Sequence, residues 1–153
     1  MVNIVHLQYM LHLTYTVRYR SVKHVINLYI NERRVGDVSI LDFKGRLRVG
    51  GNTVALHRSI RCLVLEKKIL ILLNLAGVTH IDSCGLGELV ASQVSVENSG
   101  GELKLVGLTE TLRELLGVTR LLTVFDTYEN EADALQNFAD HVSRLDKRQP
   151  ALV

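Results

Sequence analysis

The sequence predicts a single α/β domain. Three observations lead there. Its 153 residues are one domain's length, and 47% of them are hydrophobic, enough for a substantial core. Short aliphatic runs alternate with longer segments of helical period. From Val35 onward the resulting order is strand then helix, four times over, which implies parallel strands joined by right-handed crossovers.

The first strand is Val35–Phe43, where Val38, Ile40, Leu41 and Phe43 fall among polar positions and Gly36-Asp37 marks a tight turn into it. A further strand over residues 27–35 fits the alternation of Ile26, Leu28 and Ile30. Gly45, Gly50 and Gly51 then punctuate the chain. Leu56, Ile60, Leu63 and Val64 share one face of a helix from about Thr53 to Glu66, closed by Lys67-Lys68 at its negative end. Ile69–Leu75 is a continuous apolar run, as expected of a strand buried on both faces. A second helix runs from Ser83 to about Asn98, with Leu86, Leu89, Val90, Gln93 and Val94 inward, and Ser99-Gly100-Gly101 ends it. Leu103–Val106 is the next strand, Thr111–Leu116 a short helix with Leu112, Leu115 and Leu116 inward, and Leu122–Phe125 a last short strand. Asn130 caps the final helix, with Asp133 three residues on, and Leu135, Phe138, Ala139 and Val142 form its buried stripe. Residues 146–153 read as a flexible tail.

Composition narrows the function. A net charge of +2 argues against nucleic acid as a direct ligand. No run reaches the ~18 apolar residues of a transmembrane segment. Cys62 and Cys84 stand far apart with no metal spacing, so no metal and no cofactor is expected, and reduced thiols in a cytoplasmic protein are the simplest reading. Residues 1–31 differ from the rest. They hold Arg18, Arg20 and Lys23, no acid, and four of the five tyrosines. They form an atypical N-terminal extension, either a docking segment or an artefact of start-site assignment. The second is favoured because residues 32–145 look complete without them.

The chemistry concentrates in Asn74–Leu89, where Asp82-Ser83 stands at a strand-to-helix junction. Ser83 there can cap the helix. It also leaves a hydroxyl beside the positive end of the helix dipole, where a phosphate would be favoured. Gly85 and Gly87 would let another backbone approach closely.

This segment resembles the STAS domain of bacterial anti-sigma factor antagonists. In that family a buried strand leads to an Asp-Ser-small-Gly-Leu-Gly turn, matched by Asp82-Ser83-Cys84-Gly85-Leu86-Gly87. Gly100–Leu105 resembles the family's next strand and Leu115–Phe125 its helix-strand step. The resemblance covers about residues 32–142. It implies a central mixed sheet flanked by about four helices largely on one side. It also implies a partner-switching cycle in transcription regulation. The unphosphorylated protein binds an anti-sigma factor that is a serine kinase and frees the sigma factor. Phosphorylation of Ser83 breaks that complex, and a PP2C-type phosphatase resets it. Catalysis belongs to those partners, so the chain is not expected to be an enzyme. The expected partner surface is Asp82, Ser83, Cys84, Gly85, Leu86 and Gly87, adjoined by the Arg46–Gly51 loop with Arg46 and Arg48. Two departures stand out: Cys84 replaces a common Ser or Thr, and Arg48 follows the early Gly45-Arg46-Leu47 step where many relatives are acidic or polar.

Plainer readings compete. Ser83 can be only a cap, Asp82 only a loop holder, Cys84 only a small buried residue, and His80 only a surface group. Gly85-Leu86-Gly87 lacks the third glycine of a dinucleotide fingerprint, and Ser83 is not set in G-x-S-x-G, which argues against nucleotide binding and a serine hydrolase. The main functional rival is a non-switching STAS scaffold, an interaction module in a larger signalling assembly.

Overall fold

The computed structural model describes residues 27–148. Most of the 1–31 extension, through residue 26, and the tail from residue 149 lie outside the described residues. In chain order the elements are β1 (Leu28–Val35), β2 (Val38–Leu47), α1 (Gly51–Leu65), β3 (Leu70–Ile81), α2 (Ser83–Asn98), β4 (Glu102–Val106), α3 (Glu110–Val118), β5 (Asp126–Tyr128) and α4 (Glu131–Asp146). The five strands form one sheet in sequential order. β1 and β2 pair antiparallel across the Gly36-Asp37 turn, and β2 through β5 pair in parallel. A parallel sheet that always steps in the same direction, with right-handed crossovers, puts every crossover helix on one face.

The core follows from that rule. Leu41, Phe43, Leu47, Ile71, Leu73, Leu75, Leu103 and Leu105 meet Leu56, Ile60 and Leu63 of α1, Leu86, Leu89 and Val96 of α2, and Leu112 and Leu116 of α3. Val38, Ile40, Leu72 and Val106 point to the opposite face and are covered by Ala134 and Phe138 of α4. Three helices on one side and one on the other is the mixed, largely one-sided arrangement the resemblance implies. Full burial of each such aliphatic side chain contributes roughly 1.5–3 kcal/mol.

Helix ends are set by local chemistry. Gly100 adopts φ +77, which lets the Gly101 and Gly100 N–H groups donate to the Val96 and Glu97 carbonyls and finish α2. Lys67 plays the same part after α1 at φ +60, a position that would suit glycine better. Asn130 Oδ1 accepts from the Asp133 N–H at 2.9 Å, as its spacing predicts.

Several expectations need correction. The domain does not begin at Glu32, because β1 starts at Leu28 and that residue is 1% exposed within the core. β3 runs on to Ile81, well past Leu75, since β2 continues beside it through two irregularities in register. Leu121–Thr123 is a 3-10 turn and the last strand is Asp126–Tyr128. The segment at 122–125 lays Leu122 and Phe125 over the core instead of entering the ladder. The inward stripe of α2 ends in Val96 while Val94 is 48% exposed. On α4 the stripe is Ala134, Leu135 and Phe138, leaving Ala139 and Val142 outside. That helix meets only a narrow strip of sheet, so two turns bury all it has to offer.

One polar network ties the edge of the sheet to α4. Arg33 of β1 donates to both carboxylate oxygens of Asp42 on β2, at 2.7 and 3.2 Å, and to Glu131 in the first turn of α4, at 2.9 Å through Nη1. Asn74 Nδ2 of β3 donates to Asp42 at 2.8 Å. The Arg33 guanidinium holds the carboxyls of Asp42 and Glu131 below the ordinary carboxylate range.

Candidate functional site

The site forms where β3 ends and α2 begins, at the carboxyl edge of the parallel strands. Asp82, in extended conformation, is the N-cap of α2. Its Oδ1 accepts from the Gly85 N–H at 2.8 Å and its Oδ2 from the Val49 N–H at 2.9 Å. One carboxylate therefore closes the helix and pins the β2–α1 loop to it. Those two N–H groups, Val49 first, hold the Asp82 carboxyl below its ordinary range. The Asp82 N–H donates in turn to the Leu47 carbonyl at 3.2 Å.

Ser83 is thereby not the cap, contrary to one reading of the sequence. It is the first helical residue and is exposed. With Asp82 holding the cap, the Ser83 hydroxyl is not committed to the fold. It stands over the positive end of a 16-residue helix.

The other residues of the turn divide by burial. Cys84 and Gly87 are exposed, and a Cβ on Gly87 would meet open space. Cys84 is thus not a buried small residue. Gly85 and Leu86 are buried, so neither can be a direct partner contact. A Cβ on Gly85 would stand 2.3 Å from the Leu47 carbonyl oxygen. Its glycine serves the close seating of α2 on the end of β2, not the approach of another protein. Leu86, 7% exposed, is core.

Arg46 and Arg48 are also separated. Leu47 is fully buried under the helices, so strand alternation puts the Arg46 side chain on the other side of the sheet. Arg46 lies opposite His80, and both are exposed. Its carbonyl accepts from Asn52 Nδ2 at 2.7 Å. Arg48 is exposed in the loop after β2, near enough to Asp82 for its charge to favour the carboxylate.

Three contributors carry no sequence signal. They are the Val49 N–H, the Asn52 side chain, and a bond between His57 Nδ1 of α1 and Glu88 Oε1 of α2 at 3.0 Å. The first and third join segments 33 and 31 residues apart, which only the folded chain brings together. Asn52 reaches back across the loop to Arg46, and a single amide in a helix pattern gives no hint of that. Among the described residues no group of three or more His, Cys, Asp or Glu could hold a metal ion, and no helix is long and apolar enough to cross a membrane.

A family model described as the STAS domain matches residues 29–134. The chain belongs to the STAS domain family. Solved structures of the same fold agree. A candidate anti-sigma factor antagonist from Thermotoga maritima is 25% identical, with TM-score 0.60 over 71% of this chain and 92% of that one. The Bacillus cell fate determinant SpoIIAA in its phosphorylated form is 16% identical, with TM-score 0.58 over 72% and 99%. A sulfate transporter family protein from Wolinella succinogenes is 22% identical, with TM-score 0.64 over 72% and 93%. Structures with the fold of this STAS domain thus include both anti-sigma factor antagonists and a transporter-family protein. The Asp82–Gly87 turn of this STAS domain lies inside the matched region, at the start of α2.

Proposed function

We propose that this STAS domain is an anti-sigma factor antagonist controlled by phosphorylation of Ser83. The observation that carries the reading is the division of labour at the turn: Asp82 holds the helix and the loop, and Ser83 presents an uncommitted hydroxyl on a rigid, exposed platform. A kinase can reach such a hydroxyl without unfolding anything. The likeness to antagonists, one of them solved in phosphorylated form, supports the same reading. The unmodified protein binds an anti-sigma factor serine kinase through Ser83, Cys84, Gly87 and the Arg48–Gly51 loop, which frees the sigma factor. The chain is the substrate in this cycle and catalyses nothing. A PP2C-type phosphatase resets it, in the cytoplasm.

The physics of the switch is electrostatic. A phosphoserine carries about −1.5 to −2 charges at pH 7. It would sit one residue from the Asp82 carboxylate, which stays ionised because two N–H groups hold it so. Burying that doubled negative charge in an interface weakens binding strongly unless the partner supplies matching cations.

The test is a calorimetric titration of the cognate kinase with the unmodified protein and with Ser83→Asp. The variant should keep its thermal transition and lose about tenfold or more in affinity, or ~1.4 kcal/mol. Equal affinity for both would overturn the switch. It would leave a STAS scaffold inside a larger assembly, a second reading that the likeness to a transporter-family protein favours.

A further inference from the structure

We infer that the outward face of α1, together with Arg48 and Val49 beside it, is a docking surface for the acidic face of a partner protein. α1 buries Ala55, Leu56, Ile60 and Leu63 against the sheet and α2. The opposite stripe is Val54, His57, Arg58, Arg61 and Leu65, at i, i+3, i+4, i+7 and i+11. All five are exposed, Val54 by 47% and Leu65 by 70%, and neighbouring Val49 is 68% exposed.

The charge on this stripe has one sign. Residues 44–65 contain five of the chain's 18 Lys and Arg residues and none of its 16 Asp and Glu residues. A merely solvated helix face ordinarily mixes signs, gaining from opposite charges one turn apart. The outer face of α4 does so, with Asp133, Asp140 and Arg144 exposed together. On the α1 side, Glu88 of α2 bonds to His57, and that bond anchors one helix to the other. A stripe of one sign with apolar groups beside it is complementary to an acidic surface that carries aliphatic groups of its own.

The composition selects the class of partner. The cations at this face are arginines, whose planar forks match carboxylates and which are enriched at protein interfaces. Val49, Val54 and Leu65 supply apolar contact that a phosphate backbone would not use. Membrane-surface helices bring aromatic and leucine-rich faces. Here the leucines other than Leu65 face inward, and the stripe has no aromatic residue. An acidic protein surface with exposed aliphatic groups fits best.

The experiment measures fluorescence anisotropy of a labelled amphipathic peptide of Glu and Leu in helical register, titrated with the full chain. Two variants of equal charge change are compared: Arg48→Glu/Arg61→Glu on the stripe, and Lys147→Glu/Arg148→Glu after α4. The wild type should bind with an affinity that falls as salt rises. The stripe variant should lose about tenfold or more and the distant one less than about twofold. Arg61→Gln, which only removes a charge, should lose about threefold. Absence of saturable binding, or equal losses for both charge reversals, would overturn the assignment. So would tighter binding to phosphatidylserine vesicles or duplex DNA that the stripe variant abolishes, since the surface would then belong to a membrane or a nucleic acid.

Discussion

Asp82 does two jobs with one carboxylate, and this explains how an exposed serine can be displayed at the start of a folded helix. Because its pKa is held down in the folded state, its contribution to stability is complete above the ordinary carboxylate range. That contribution is lost as pH falls through the lowered value. Asp82→Asn should therefore lower the thermal midpoint at neutral pH and narrow the gap from wild type in acid, as calorimetry across pH would read. Gly85→Ala should cost about 1–3 kcal/mol in chemical denaturation, because the new methyl meets the Leu47 carbonyl at 2.3 Å and neither backbone can yield easily. Gly87→Ala, facing open space, should cost less than about 1 kcal/mol, and as a helix residue can gain from the added side chain. Arg33→Ala removes a partly exposed network worth about 1 kcal/mol. Its acid partners both have lowered pKa values, so that cost should be present at neutral pH and fade below the carboxylate range.

At the scale of elements, the strands and helices with clean periods were legible in the sequence. α1, α2 and the cap of α4 at Asn130 stand where their apolar spacing and capping residues predict. The misplacements have physical causes. Hydrophobicity alone places a strand at Leu122–Phe125, but so short an apolar segment can instead cover a core as a turn. Both Asp and Ser are good N-caps, so Asp82-Ser83 is ambiguous in sequence; the Val49 N–H, 33 residues away, decides in favour of Asp82. The change of composition at Glu32 falls inside β1 and does not mark an edge of the fold. Consequently, a chain starting at Asn27 should retain a cooperative transition. One starting at Glu32 should lose Leu28, worth roughly 1.5–3 kcal/mol, along with half of its edge ladder, and melt measurably lower.

At the scale of the whole molecule, the sheet separates two working regions. The carboxyl edge of the parallel strands carries Ser83 on α2 with the Arg48 loop pinned to it, and α1 extends that surface with a stripe of arginines. The opposite face is closed by α4 and stapled to the edge strand through Arg33. Under the proposed switch the fold need not change for a partner to be gained or lost, since the phosphate would be added at an exposed hydroxyl. Intact-mass analysis with peptide mapping of the protein from its native host, with and without phosphatase treatment, decides whether Ser83 is that switch. A phosphatase-sensitive gain of one phosphate on the peptide containing Ser83 is expected. A chain that carries no phosphate on that peptide under any growth condition, including those in which the sigma factor is held inactive, would contradict it.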